Sequence, residues 1–152
     1  MKKISLLLLV IFITSCSNTF LSEYDNIGFE NDERDTYIFF HNSDKYMTII
    51  DNYENDLDCF DIEIDKTNKE ISCFVDELES VCKIIKNAPN IFIEQCQGCD
   101  GSKKYISTFE YSVSGDILTE KYSRDNLDGS DIEEETVLFR RTLKTLESFD
   151  CN

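Results

Sequence analysis

Cys96-Gln97-Gly98-Cys99 is the first stretch whose residue types and spacing could do chemistry. A thioredoxin-like redox site places the first cysteine of such a pair at a helix N-terminus, which lowers its pKa. Here Asp100-Gly101-Ser102 and then a strand-like run follow, so no such helix is expected. A zinc site wants a second close pair of ligands, and none is found, so a disulfide staple leads over redox or metal chemistry. Asn126 to Glu135 approaches a calcium loop. With Gly129 as position six, Asn126, Asp128 and Glu135 fit positions three, five and twelve, but Arg124 falls at position one and repels a cation. An acidic hairpin loop is the better reading. His41 is the sole histidine, and Asn42-Ser43-Asp44 beside it suggest a surface turn. There is no P-loop, dinucleotide fingerprint or H-E-x-x-H. No catalytic residue, metal or cofactor is therefore assigned, and no enzyme activity is expected.

The N-terminus carries a different chemistry. Lys2 and Lys3 precede an apolar run from Ile4 to Ile13, broken only by Ser5. Ten helical residues reach roughly 15 Å, half of a ~30 Å hydrocarbon core. That suits a secretory h-region rather than a spanning helix. Ile13-Thr14-Ser15-Cys16 resembles the lipobox of bacterial lipoproteins, an aliphatic residue and two small ones before a cysteine. The resemblance implies a diacylglycerol thioether on Cys16, cleavage before it and N-acylation of the new terminus, palmitate being the kind of chain attached. Two or three acyl chains anchor stably where one would not. Ser17, where inner-membrane retention would want Asp, implies a bacterial cell envelope protein on the outer membrane, facing the periplasm.

Setting Cys16 aside from the seven cysteines leaves Cys59, Cys73, Cys82, Cys96, Cys99 and Cys151 as disulfide candidates, an even set that fits an oxidising compartment. Spacing does not choose among their pairings. One pair can be weighed. In Asp58 to Asp65, Phe60, Ile62 and Ile64 share one face while Cys59, Asp61, Glu63 and Asp65 share the other. A Thr67-Asn68 turn would set Ile62 opposite Cys73, so Cys59 and Cys73 lie on opposite faces and each is expected to pair elsewhere.

The net charge is −16, and removing Lys2 and Lys3 with the signal peptide takes it to −18. Such a field repels nucleic acid and anionic headgroups and attracts a cationic protein partner. No nucleic-acid binding is expected.

The elements that must position these residues read mostly as short strands. They are Thr36–Phe40, Lys45–Ile50, Cys59–Asp65, Glu70–Val75, Ile91–Gln95, Tyr105–Val113, Asp116–Ser123 and Thr136–Thr142, with CQGCDGSKK as a loop. Asp76, Glu79 and an i, i+3, i+4, i+7 set of Leu78, Val81, Cys82 and Ile85 predict one short helix near residues 76–86, against a competing strand over Val81–Ile85. The fold class is mainly β, a small antiparallel β-barrel or sandwich. Residues 1–15 are read as signal peptide, 16–35 as lipidated cysteine and acidic tether, and 36–152 as one β-rich domain. Phe109 to Thr119, then Leu138-Phe139-Arg140-Arg141, is similar to the closing strands of lipocalin-like bacterial domains. That resemblance implies a barrel and a ligand cavity.

Two functions follow as expectations. The first is a membrane-anchored envelope lipoprotein whose non-enzymatic acidic domain binds a protein or envelope partner. The alternative is a lipocalin-like carrier of a small apolar ligand.

Overall fold

In a computed structural model the chain is described over residues 18–53, 56–64, 81–127 and 133–151. Its elements are α1 (Phe20–Glu23), β1 (Gly28–Asn31), β2 (Thr36–Phe40), β3 (Lys45–Tyr53), β4 (Asp56–Glu63), β5 (Val81–Ala88), β6 (Ile91–Asp100), β7 (Lys103–Ser114), β8 (Ile117–Asn126) and β9 (Glu133–Arg141). The protein is mainly β, as its β-branched and aromatic runs require. Among the described residues, these nine strands form one sheet in the order β4-β3-β2-β1-β9-β8-β7-β6-β5. Each pairs antiparallel with its neighbours, and β9 returns to pair with β1. The sheet curls into a half-barrel in which β4 and β5 are the outermost of the described strands.

Period-two alternation gives the sheet two apolar faces. Inside the curl lie Phe29, Ile38, Phe40, Met47, Phe92, Tyr111, Leu118, Val137 and Phe139. Outside lies a smaller cluster of Tyr37, Phe39 and Ile50. The chain after β9 crosses that outer face. Thr142 N–H bonds the Gly28 carbonyl at 3.0 Å, and a 3-10 turn at Leu146–Ser148 leads to Phe149, whose ring stands 4.7 Å from Tyr37 and 5.9 Å from Phe39. A Cys59–Cys151 disulfide then ties this tail to β4.

Three expectations are corrected. Residues 18–35 are not a free tether. Thr19 caps α1, and Phe20, Leu21 and Phe29 are buried, because α1 plugs one end of the half-barrel against Phe40 and Phe92 at ring separations of 5.1 and 5.9 Å. The helix expected near 76–86 is a strand over Val81–Ala88, paired with β6. Residues 76–80 lie outside the described residues, as does the expected strand Glu70–Val75 with Cys73. Third, CQGC is no loop but the last part of β6, and it pairs with β7 as far as Asp100–Lys103. Gly98 permits that pairing, since a Cβ there would stand 2.3 Å from the Tyr105 ring. The β7–β8 hairpin turns at Gly115 with φ +61°, a conformation that glycine adopts without steric cost.

Candidate ligand-binding cleft

The aromatic plug fills only the α1 end of the half-barrel. Beyond Phe40, Tyr46 and Phe92, inward positions of β2 to β9 line a cleft of about 520 Å³. Its apolar wall is Ile38, Met47, Ile49, Ile62, Phe109 and Phe139. Its polar groups are Glu94, Glu120, Tyr111, Tyr105 and Ser107, with Arg34, Thr36 and Asp51 also lining it. Pockets of this size, largely apolar with a few placed polar groups, are the usual form of small-molecule sites.

Glu94 is the most constrained of these groups. Alternation along β6 turns Phe92, Glu94 and Cys96 inward, and leaves Ile91 and Ile93 half-buried on the other face. The Glu94 residue is 2 % exposed. One oxygen accepts from the Tyr46 hydroxyl on β3, the other from Tyr111 on β7 at 3.1 Å. Burial pushes the Glu94 carboxyl up to about 7, against the pull of both hydroxyls, and the nearby Glu120 adds repulsion. Burial also raises Glu120, which Tyr111 and Arg34 partly offset. Both tyrosines are pushed well above the ordinary phenol range, first by burial and then by the Glu94 charge. The Arg34 guanidinium, in the β1–β2 turn, is engaged by Glu135 of β9. Among the described residues, no basic side chain bonds Glu94.

The cysteines divide between the faces. Cys82 and Cys96 stand directly opposite on β5 and β6 and form a disulfide in the cleft wall. Cys99 is disulfide-bonded as well. A C-x-x-C within a strand points its two cysteines to opposite faces, which is why Cys96 and Cys99 are not joined to each other. Cys82, Glu94 and Cys96 bring their ligand atoms within 4.8 Å of one another. With both sulfurs in a disulfide, no thiolate is free to hold a metal there.

The remaining sequence-derived residues fall elsewhere. Cys16 and Cys73 lie outside the described residues, as do residues 128–132 of the near calcium loop. Arg124, at that loop's first position, lies 4.0 Å over the Tyr105 ring. His41 is buried rather than on a surface turn: it is 8 % exposed, and its Nε2 lies 3.0 Å from Thr48 Oγ1. Burial and the Lys45 charge lower its pKa. Glu94 and Glu120 are absent from the sequence reading, because nothing set them apart among thirty-one acidic residues. The signal was there in Phe92-x-Glu94-x-Cys96, which places a carboxylate between two core types on one face of a strand.

No protein-family model, no curated protein and no solved structure matches this chain.

Proposed function

We propose that this chain is a lipid-anchored protein of the bacterial envelope that holds a small, largely apolar ligand in the concave cleft of its half-barrel, without catalysing a reaction on it. The observation that carries the ligand reading is the 520 Å³ cleft, whose apolar wall continues the inner core instead of being filled by it. The anchor rests on Ile13-Thr14-Ser15-Cys16 and the ten apolar residues leading into it. On this reading the Cys16 lipid holds the domain at the membrane and the cleft carries the ligand there.

The chain contains no tryptophan, so Phe109→Trp sets a single reporter in the cleft wall. The test titrates n-octanol into the full chain in phospholipid nanodiscs. A saturable change in Phe109→Trp emission, absent from an exposed Lys121→Trp control, is expected. A response that never saturates, or that the two variants share, overturns the cleft as a ligand site.

A second reading, docking of a cationic protein, is favoured by the exposed Asp56, Asp58 and Glu63 on β4. Such a partner would be captured from envelope extracts at low salt and lost at high salt. Salt-insensitive capture of neutral partners would remove this reading.

A further inference from the structure

Resting on the cleft reading above, we infer that the ligand is a cationic amphiphile, an alkylammonium-type molecule whose charged head sits between Glu94 and Glu120 and whose chain lies against Ile38, Ile49 and Phe109.

The floor of the cleft makes the case. Glu94 lies at the junction between the aromatic plug and the cleft, with both carboxylate oxygens already accepting hydroxyl protons. An arrangement of two donors and no acceptor fits an ionised carboxylate. A buried charge is costly without a counter-charge, and the chain places a second acid, Glu120, close enough to repel it. The groups facing Glu94 are Tyr46 from β3, the Cys82–Cys96 disulfide from β5 and β6, Tyr111 from β7 and Glu120 from β8. Among the described residues, the other charged groups of the cleft wall are Asp51, a further acid, and Arg34, which is held by Glu135 and acts on Glu120 but not on Glu94. Asp51 accepts from Thr36 at 2.8 Å.

An ammonium head entering this space supplies the positive charge that Glu94 lacks. The phenol ring of Tyr111, which lines the cleft, offers further stabilisation of a cation. A ligand with a carboxylate head would instead meet Glu94 and Glu120 as like charges. The apolar wall supplies the contact for a hydrocarbon chain.

The experiment compares three ligands of one chain length, n-octylamine, n-octanol and n-octanoate, by the Phe109→Trp signal of the full chain in nanodiscs. Octylamine is expected to bind at least tenfold tighter than octanol, with octanoate weakest. Its affinity should rise about tenfold between pH 6 and pH 8, as Glu94 ionises while the alkylammonium stays protonated. Glu94→Gln should bring octylamine towards octanol and flatten that pH dependence, and, separately, the more accessible Glu120→Gln should bring octylamine towards octanol. Far-UV circular dichroism confirms that each variant is folded; should Glu94→Gln fail to fold, Glu120→Gln carries the comparison. Octanoate binding as tightly as octylamine, or an octylamine preference that survives the substitutions, overturns the cationic head while leaving the cleft reading standing. Binding of none of the three overturns both.

Discussion

The Tyr46 hydroxyl on β3 donates to the Glu94 carboxylate on β6, joining two strands that stand near opposite edges of the nine-strand sheet. Backbone pairing runs the long way round between them, through β2, β1, β9, β8 and β7. The side-chain bond is therefore a chord across the half-barrel, and it marks the floor of the cleft. A curled sheet with two edges needs such chords, because its ladder alone does not fix how far it closes. The Phe20 ring supplies another, between Phe40 on β2 and Phe92 on β6.

Glu94 makes folding stability depend on pH in a stated direction. Its folded pKa, about 7, lies above the ordinary 4.5. The folded chain thus binds more protons than the unfolded chain between those values. The stability this group contributes is full below about 4.5, falls as pH rises towards about 7, and is level above. The whole change is at most about 3 kcal/mol. Urea unfolding of the wild type and Glu94→Gln at pH 5 and pH 8 isolates it, since the other carboxylates cancel in the difference. Wild type should lose stability relative to Glu94→Gln on going to pH 8, and equal changes in the two proteins would contradict the assignment.

The two disulfides with both partners described should differ in weight. Cys59–Cys151 closes a separation of 92 residues and Cys82–Cys96 one of 14. On the chain-entropy argument these are worth about 4–5 and about 3 kcal/mol. Removing the first pair as Cys59→Ala/Cys151→Ala should also release the tail from Tyr37 and Phe39. Limited proteolysis is expected to cut near Leu146 in that variant, and to leave the Cys82→Ala/Cys96→Ala variant intact at the same site.

Gly98 and Tyr105 should be energetically coupled. A Cβ at position 98 would meet the Tyr105 ring at 2.3 Å, so Gly98→Ala forces β6 or the ring to move. The expected cost is about 1–3 kcal/mol. Removing the ring first should relieve it, so a double-mutant cycle with Tyr105→Ala should show a favourable coupling of at least about 0.5 kcal/mol. Additive costs from chemical denaturation would show that the contact does not constrain the strand.

The proposed anchor is tested at Cys16. Mass spectrometry of the mature chain should find the diacylglycerol adduct on Cys16 as the new N-terminus. Cys16→Ala should lose that mass and leave the membrane fraction. A wild-type chain without lipid would refute the anchor.

Alternation of apolar and polar residues along each run was enough to establish a mainly β chain and most of its strands. Tyr105 to Val113 and the hairpin at Gly115 were legible because side-chain period and turn chemistry are local properties. The opposed faces of Cys59 and Ile62 on β4 were legible for the same reason: Leu57 and Cys59 pack with the outer cluster, Ile62 with the inner one. Local pattern failed where one residue's fate depends on distant strands. Val81 to Ile85 carries a helical period and cap signals that outweighed the competing strand pattern, and only pairing with β6 decided for the strand. Phe20 reads as one apolar residue in an acidic stretch until Phe40 and Phe92 surround it. Ile91 and Ile93 read as more core-like than Glu94, yet the curl of the sheet turns Glu94 inward. That inversion is a tertiary property, because a strand with apolar residues on both faces does not state which face the sheet will close around. Composition and period determined the class of fold. The curvature that brings β3 across to β6 decided that the fold contains a cleft, and that its floor is acidic.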